Sequence, residues 1–240
     1  VKYGVLGDVH SNVDALRAVL DELDREPTVG LLCPGDVVGY GAAPRECVAL
    51  VRERSPAIVA GNHDWAVAGR LALDYFNPYA RDAILWTRRV LDREDARWLG
   101  SLPLTRLEGP VTLAHGTIHD PELFDYLQTP YDAHLSFSRL STEYGIVGHS
   151  HIPVTFLSGT TITYVIGTQV DLVEGARALV NVGSVGQPRD EDPRAAYGIL
   201  DTAARTVTLK RVAYDVESAI ARIRAAGLPD VLGERLRIGR

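Results

Sequence analysis

Apolar positions open the chain in a short run, Lys2 to Leu6, that reads as a buried strand and stops at Gly7-Asp8. Ser11 or Asn12 then stands where a helix needs an N-cap. Val13, Leu16, Val19, Leu20 and Leu23 follow at the spacing that lines one helical face. A second apolar run, Val29 to Cys33, ends in Pro34-Gly35-Asp36. The helix after it has Pro44 suited to its first turn and Val48, Leu50 and Val51 inside. Ala57 to Ala60 makes a third strand, ending in Gly61-Asn62-His63-Asp64. Strand, helix, strand, helix, strand predicts a parallel sheet with helices on both faces.

Helical spacing returns between Pro78 and Leu102, in two stretches with Asp92 as a cap between them. Strands at 104–107 and 111–114 flank the turn Glu108-Gly109-Pro110, and the second ends in His115-Gly116. Residues 119–143 are weakly patterned, predicting short helices over a site. Tyr144 to Val147 then ends in Gly148-His149-Ser150-His151. After Pro153 the pattern becomes strand-rich, at 154–157, 161–166, 178–182, 196–200 and 206–212, before a closing helix at 216–226. This half predicts a second, largely antiparallel sheet. No linker-like segment or repeat divides the chain, so the expectation is one α/β domain over 1–240 with two packed β-sheets flanked by helices.

Composition narrows the function classes. A chain of 240 residues, 46% apolar and 23% charged, buries enough surface to fold without disulfide or structural metal, so any metal needs another reason to be there. The net charge of -6 supports no broad basic face, which argues against long nucleic acid as a partner. Cys33 and Cys47 read as small buried hydrophobes. No apolar run is long enough to span a membrane, and Gly7-Asp8 breaks the opening run before a signal peptide forms. A cytoplasmic protein is the expectation, with a homodimer as the default assembly.

The informative polar residues sit directly after apolar strands: Asp8 and His10, Asp36, Asn62 with His63 and Asp64, His115, and His149 with His151. The carboxyl ends of parallel strands share one edge of a sheet, so loops from positions 8 to 151 can meet in one crevice. Mixed imidazole and carboxylate donors, with no cysteine at these strand ends, suit manganese, iron or zinc. The set is too large for one tetrahedral ion. It fits two ions sharing a carboxylate, an arrangement that clamps the oxygens of a phosphoryl group. Two divalent ions against Asp8 and Asp36 leave a positive excess that attracts a phosphate ester.

Together, Gly7-Asp8-Val9-His10, Gly35-Asp36-Val37-Val38-Gly39-Tyr40-Gly41, Gly61-Asn62-His63-Asp64, Ala114-His115-Gly116 and Gly148-His149-Ser150-His151 resemble the calcineurin-like metallophosphoesterases. Asn181 to Arg189 looks like the small bacterial phosphodiesterase branch of that family. The resemblance implies a four-layer α-β-β-α sandwich and two divalent cations. Asp8, His10 and His151 would hold one, Asn62, His115 and His149 the other, and Asp36 would bridge them. It further implies direct attack of a metal-bridging hydroxide on a phosphodiester or phosphomonoester. His63 would touch the ester as acid or charge stabiliser, and Asp64 would orient its imidazole.

Substrate contacts are expected from Arg189, which follows a glycine-rich loop, from Tyr40, and from His119 beyond the His115 loop. Tyr75, Tyr79, Arg81, Tyr126 and Tyr131 fall in the segments expected to roof the site, and Trp65 stands beside it. The expected substrate is small and phosphorylated, a nucleotide or a phosphopeptide. Val38-Gly39-Tyr40-Gly41 stands where animal-type phosphatases carry Asp-Arg-Gly. Hydrolysis of Ser/Thr phosphoproteins or of dinucleoside polyphosphates therefore stays as an alternative. A catalytically idle, metal-stabilised interaction module is the non-enzymatic one. No His-Glu-x-x-His segment supports a metallopeptidase.

Overall fold

A computed structural model describes residues 1–240. In chain order its elements are β1 (Lys2–Val5), α1 (Val13–Leu23), β2 (Gly30–Cys33), α2 (Pro44–Arg54), β3 (Ala57–Ile58), α3 (Asn62–Val67), α4 (Pro78–Val90), α5 (Arg93–Ser101), β4 (Thr105–Glu108) and β5 (Val111–Ala114). After a 3-10 turn at Pro121–Leu123 come α6 (Pro130–Arg139), β6 (Tyr144–Val147), β7 (Val154–Leu157), β8 (Thr163–Val165), β9 (Gln169–Asp171), β10 (Ala178–Asn181), β11 (Ala195–Asp201), β12 (Thr206–Val212), α7 (Val216–Ala225) and α8 (Asp230–Ile238).

The helix starts follow local chemistry. Asn12 accepts from the Ala15 amide at α1, Asn77 from Ala80 at α4, and Asp92 from Glu94 and Asp95 at α5. Each side-chain oxygen satisfies an amide that the first turn leaves without a partner.

The strands form two six-stranded sheets, β3-β2-β1-β11-β12-β9 and β4-β5-β6-β10-β7-β8. Two packed sheets flanked by helices match the expected architecture, but the assignment of strands differs. β1, β2 and β3 are parallel as predicted, yet β1 pairs antiparallel with β11, from Lys2↔Asp201 to Val5↔Gly198. The strand-rich half does not build its own sheet. It gives β9, β11 and β12 to the first and β7, β8 and β10 to the second, so both sheets are mixed.

Helices therefore do not cover both faces of the first sheet. One face packs on α1 and α2 through residues such as Leu16, Val19, Val48 and Val51. The other meets the second sheet in a core of Val5, Leu32, Leu200, Leu113, Ile146 and Val180. Burying each such side chain contributes roughly 1.5–3 kcal/mol. Phe137 and Leu140, in α6 and just after it, cover the outer face of the second sheet.

The pattern missed β9, only three residues long, and α8, whose Leu232 and Leu236 pack on Ile220 and Ile223 of α7. Both cysteines are buried and free. No helix is long and apolar enough to cross a membrane.

Candidate metal centre and cavity

The loops after β1, β2, β3, β5 and β6 meet where the two sheets abut. The Asp8 amide donates to Gly35 O, His10 to Asp36 O and Ser11 to Val37 O, each at 3.0 Å, so the first two loops run side by side. Asn181 to Arg189 closes the ring from the other end of the chain: Ser184 Oγ donates to Asp8 O, and the Gly186 amide donates to the same oxygen.

Seven non-glycine residues here hold left-handed backbone: Asp8, His10, Ser11, Asp36, Tyr40, His149 and His151, with φ from 48° to 70°. Such conformations cost of order 1–3 kcal/mol each and persist where the surroundings over-determine them. Two glycines are explained by close approach. A Cβ on Gly61 would lie 1.9 Å from Asp36 Oδ1, and one on Gly148 would lie 2.6 Å from Asp8 Oδ2.

Hydrogen bonding fixes the ring nitrogens. His10 Nδ1 donates to Val38 O at 3.0 Å, His115 Nδ1 to Pro34 O at 2.8 Å and His151 Nδ1 to Gln187 O at 2.7 Å. A carbonyl only accepts, so each Nδ1 carries its proton, and each ring, whenever it is neutral, presents an Nε2 lone pair. Those lone pairs converge. His10 Nε2 is 3.0 Å from His151 Nε2 and 3.5 Å from Asp36 Oδ2, which is 3.2 Å from His115 Nε2. His151 Nε2 lies 3.5 Å from Asp8 Oδ1. Asn62 Oδ1 and His149 Nδ1 approach His115 Nε2 at 3.1 and 3.2 Å.

Asp36 Oδ2 is buried with no hydrogen-bond donor. Donor atoms facing one another out of water, around an orphaned carboxylate oxygen, are what cations would reconcile. Asp8, His10 and His151 form one group with all donor atoms within 4.8 Å, and Asp36, His115 and His149 form another. A third group, His10, Asp36 and His63, overlaps both, and the residues present fit bound metal.

The protonation balance says the same. Burial opposes charge on His115, yet Asp36 and Asp8 lift its pKa to about 9. Burial pushes Asp8 up to about 7, and the charge of Asp36 adds to the rise. Burial also works against Asp36, but His115 and His63 hold it well below the usual carboxylate range. Protons are drawn to a place built for positive charge. His10, His149 and His151 are driven by burial well below the ordinary histidine value, which keeps them neutral and free to ligate.

His63 lies 3% exposed against His10 and Tyr40, with ring centroids at 4.8 and 4.5 Å, and its Nδ1 has no partner. Burial lowers its pKa to about 4. The expectation for Asp64 is not met. Its carboxylate accepts from the backbone amides of Gly61, Asp36, Val37 and Val38 at 2.8–3.2 Å, leaving it committed to the backbone rather than to the His63 ring. The reason is helical geometry: both residues lie in α3, where neighbours in sequence do not face the same way. Asp64 ties the loop after β2 to the one after β3.

A cavity of about 550 Å³ opens over the donors. Asp36, Asn62, His63, His149, His151, Tyr40 and Arg189 line it, so two of the three residues expected to contact substrate lie on its wall. Arg189 Nη2 donates to Tyr40 Oη at 3.2 Å and to Gln187 Oε1 at 3.0 Å. His119 is the exception. It is not on the cavity wall; its Nδ1 lies 3.2 Å from Ser136 Oγ on α6 and its Nε2 3.7 Å from Asp120.

Of the roof candidates, Tyr75 and Tyr126 reach the cavity, whereas Tyr79, Arg81 and Tyr131 do not. Trp65 packs on Phe124 instead of facing the cavity. Phe76 and Phe124, absent from the sequence-based set, line it too. Their only signal was position, within the two segments expected to cover the site.

Two mixed sheets with imidazoles and carboxylates gathered at their strand ends define a metallophosphoesterase-type sandwich. The profile of the calcineurin-like phosphoesterase superfamily domain matches residues 1–205, and the chain belongs to that family. An uncharacterized protein of Methanocaldococcus jannaschii is 41% identical over 242 residues, which cover 98% of this chain and 97% of the relative. The crystal structure of a metallophosphoesterase from Sphaerobacter thermophilus superposes with a TM-score of 0.87 at 40% identity, covering 100% of this chain and 99% of the other. A hypothetical protein from Pyrococcus horikoshii shares the fold, with a TM-score of 0.80 at 18% identity over 100% and 98% of the two chains.

Proposed function

We propose that this protein hydrolyses small phosphodiesters or phosphomonoesters with two divalent cations, manganese, iron or zinc. Asp8, His10 and His151 would hold one and Asn62, His115 and His149 the other, with Asp36 between. The observation that supports this most directly is Asp36 Oδ2, buried without a donor between the Nε2 atoms of His10 and His115. Paired metals, when bound, lower the pKa of water and neutralise charge on a phosphoryl group.

The chain's own groups do the rest. Arg189, held by Tyr40 and Gln187, binds a non-bridging phosphate oxygen. His63, with a pKa of about 4, is neutral at pH 7 and stabilises charge on the departing oxygen by donating a ring N–H. No serine is set up as a nucleophile: Ser150 Oγ accepts from Asn181 Nδ2 and the Ile152 amide, and Ser11 Oγ has no base beside it.

Purified protein loaded with manganese, iron or zinc is expected to release p-nitrophenol from bis(p-nitrophenyl) phosphate or p-nitrophenyl phosphate. No release with any of the three metals, while they are bound, overturns the hydrolase and leaves the interaction module.

A further inference from the structure

The cavity is larger and differently lined than a phosphate alone requires. About 550 Å³ falls inside the roughly 300–1,000 Å³ typical of small-molecule sites. Its inner end carries the donor cluster and Arg189, the one cationic side chain of Lys or Arg type in the lining. Beside the donors, two segments, 71–77 and 122–126, contribute Leu71, Tyr75, Phe76, Leu123, Phe124 and Tyr126 to the wall, and the rings of Phe76 and Phe124 meet those of His63 and His115 edge-on. Tyr75 is 92% exposed, Leu123 61% and Tyr126 47%, so large apolar surfaces stand open directly beside a polar centre. Tyr126 is held flat: its ring stacks on His149 at 4.1 Å and 18°, which fixes its plane. The charges that the second segment adds to the wall are negative, Glu122 and Asp125.

Charge and shape together select the rest of the substrate. A polyphosphate chain or a second phosphate would meet Glu122 and Asp125 and find no cation there. A flat, uncharged ring would find aromatic partners, one of which already has its plane set. We infer that the site takes a phosphoester bearing a single phosphate and a flat uncharged aromatic ring, a nucleobase or an aryl group, which lies against Tyr75 and Tyr126. This rests on the hydrolase reading for the phosphate end, whereas the ring end stands on the cavity wall alone.

The test compares ligands that share a phosphate and differ in the ring. Adenosine 5′-monophosphate, phenyl phosphate and ribose 5-phosphate are titrated calorimetrically into metal-loaded protein, with free phosphate measured to show that they remain intact. At least one ring-bearing ligand is expected to bind about tenfold or more tightly than ribose 5-phosphate, as stacking one base on an aromatic side chain supplies. The better of the two identifies the source of the ring. Tyr75→Ala and Tyr126→Ala are each expected to shrink that preference, and Tyr126→Phe to keep it.

Equal binding of all three ligands, or a preference that survives both alanine variants, overturns the ring site. The two readings fail separately. Hydrolysis of methyl p-nitrophenyl phosphate with no ring preference removes the ring site and keeps the hydrolase. A ring preference in a protein that hydrolyses nothing does the reverse.

Discussion

The floor and the walls of the cavity are built on opposite principles. On the floor, Asp8, His10, Asp36, His63, His115 and His151 are almost wholly buried, and their loops are cross-braced by backbone hydrogen bonds. On the walls, Tyr75, Leu123 and Tyr126 stand open to solvent on segments outside both sheets. The floor is fixed by the fold and permits few residue types, because each left-handed position and each imidazole–carbonyl pair constrains its neighbours. The walls carry fewer such constraints: Phe124 holds one left-handed position and Tyr126 stacks on His149, while Tyr75 and Leu123 stand open. On the proposed reading, chemistry falls to the braced floor and choice of substrate to the more open walls.

Substitutions that separate the two regions sharpen this contrast. Asp36→Ala should have the largest effect. Turnover should fall by more than the roughly 10²–10⁴ that a proton-transfer residue supplies, with both metals lost by elemental analysis. Loss of only one ion would count against the proposed bridging role of Asp36. His63→Ala should lower turnover by roughly 10²–10⁴ while both metals stay bound. An unchanged rate would exclude His63 from the reaction.

His63 also gives a pH test on metal-free protein. Its folded pKa of about 4 lies below the ordinary 6.5, so between those values the unfolded chain binds the extra proton. Its contribution to stability is complete above pH 6.5 and is lost as pH falls toward 4. His63→Ala should therefore flatten the acid limb of melting temperature against pH; an unaltered limb would contradict the buried neutral ring.

Asp64→Ala should act on stability, because it leaves several buried amides unsatisfied at roughly 1–3 kcal/mol each. A variant that melts like the wild type would contradict the bracing role. Arg189→Ala, at the border of floor and wall, should raise KM about tenfold, the cost of roughly one charge-assisted hydrogen bond, with less effect on kcat. An effect confined to kcat would move Arg189 from binding to chemistry.

The same contrast explains how much could be read beforehand. Floor residues are legible because short apolar runs end where strands end, and parallel strands bring their carboxyl ends to one edge. Asp8, Asp36, His115 and His149 needed only that rule. Sheet membership was less legible. The pattern at 196–200 marks a strand but carries nothing that says it lies beside Lys2–Val5 rather than beside its sequence neighbours. The role that the resemblance implies for Asp64 was not legible either way, because neighbours on a helix face different directions and its carboxylate goes to backbone amides. Phe76 and Phe124 escaped because wall segments have no periodicity to betray them, and Phe124 even sits at φ 54°, where no propensity would place it.

The pairing of β1 with β11 has a consequence during synthesis. Lys2–Val5 is made about 190 residues before its antiparallel neighbour, Ala195–Asp201. At roughly 5–20 residues per second that delay is about ten to forty seconds, during which one edge of the nascent strand has no partner. Asp8 gains its Ser184 and Gly186 contacts only near the end of the same interval. The bracing of the donor cluster thus waits on strands and loops made long after its first residues.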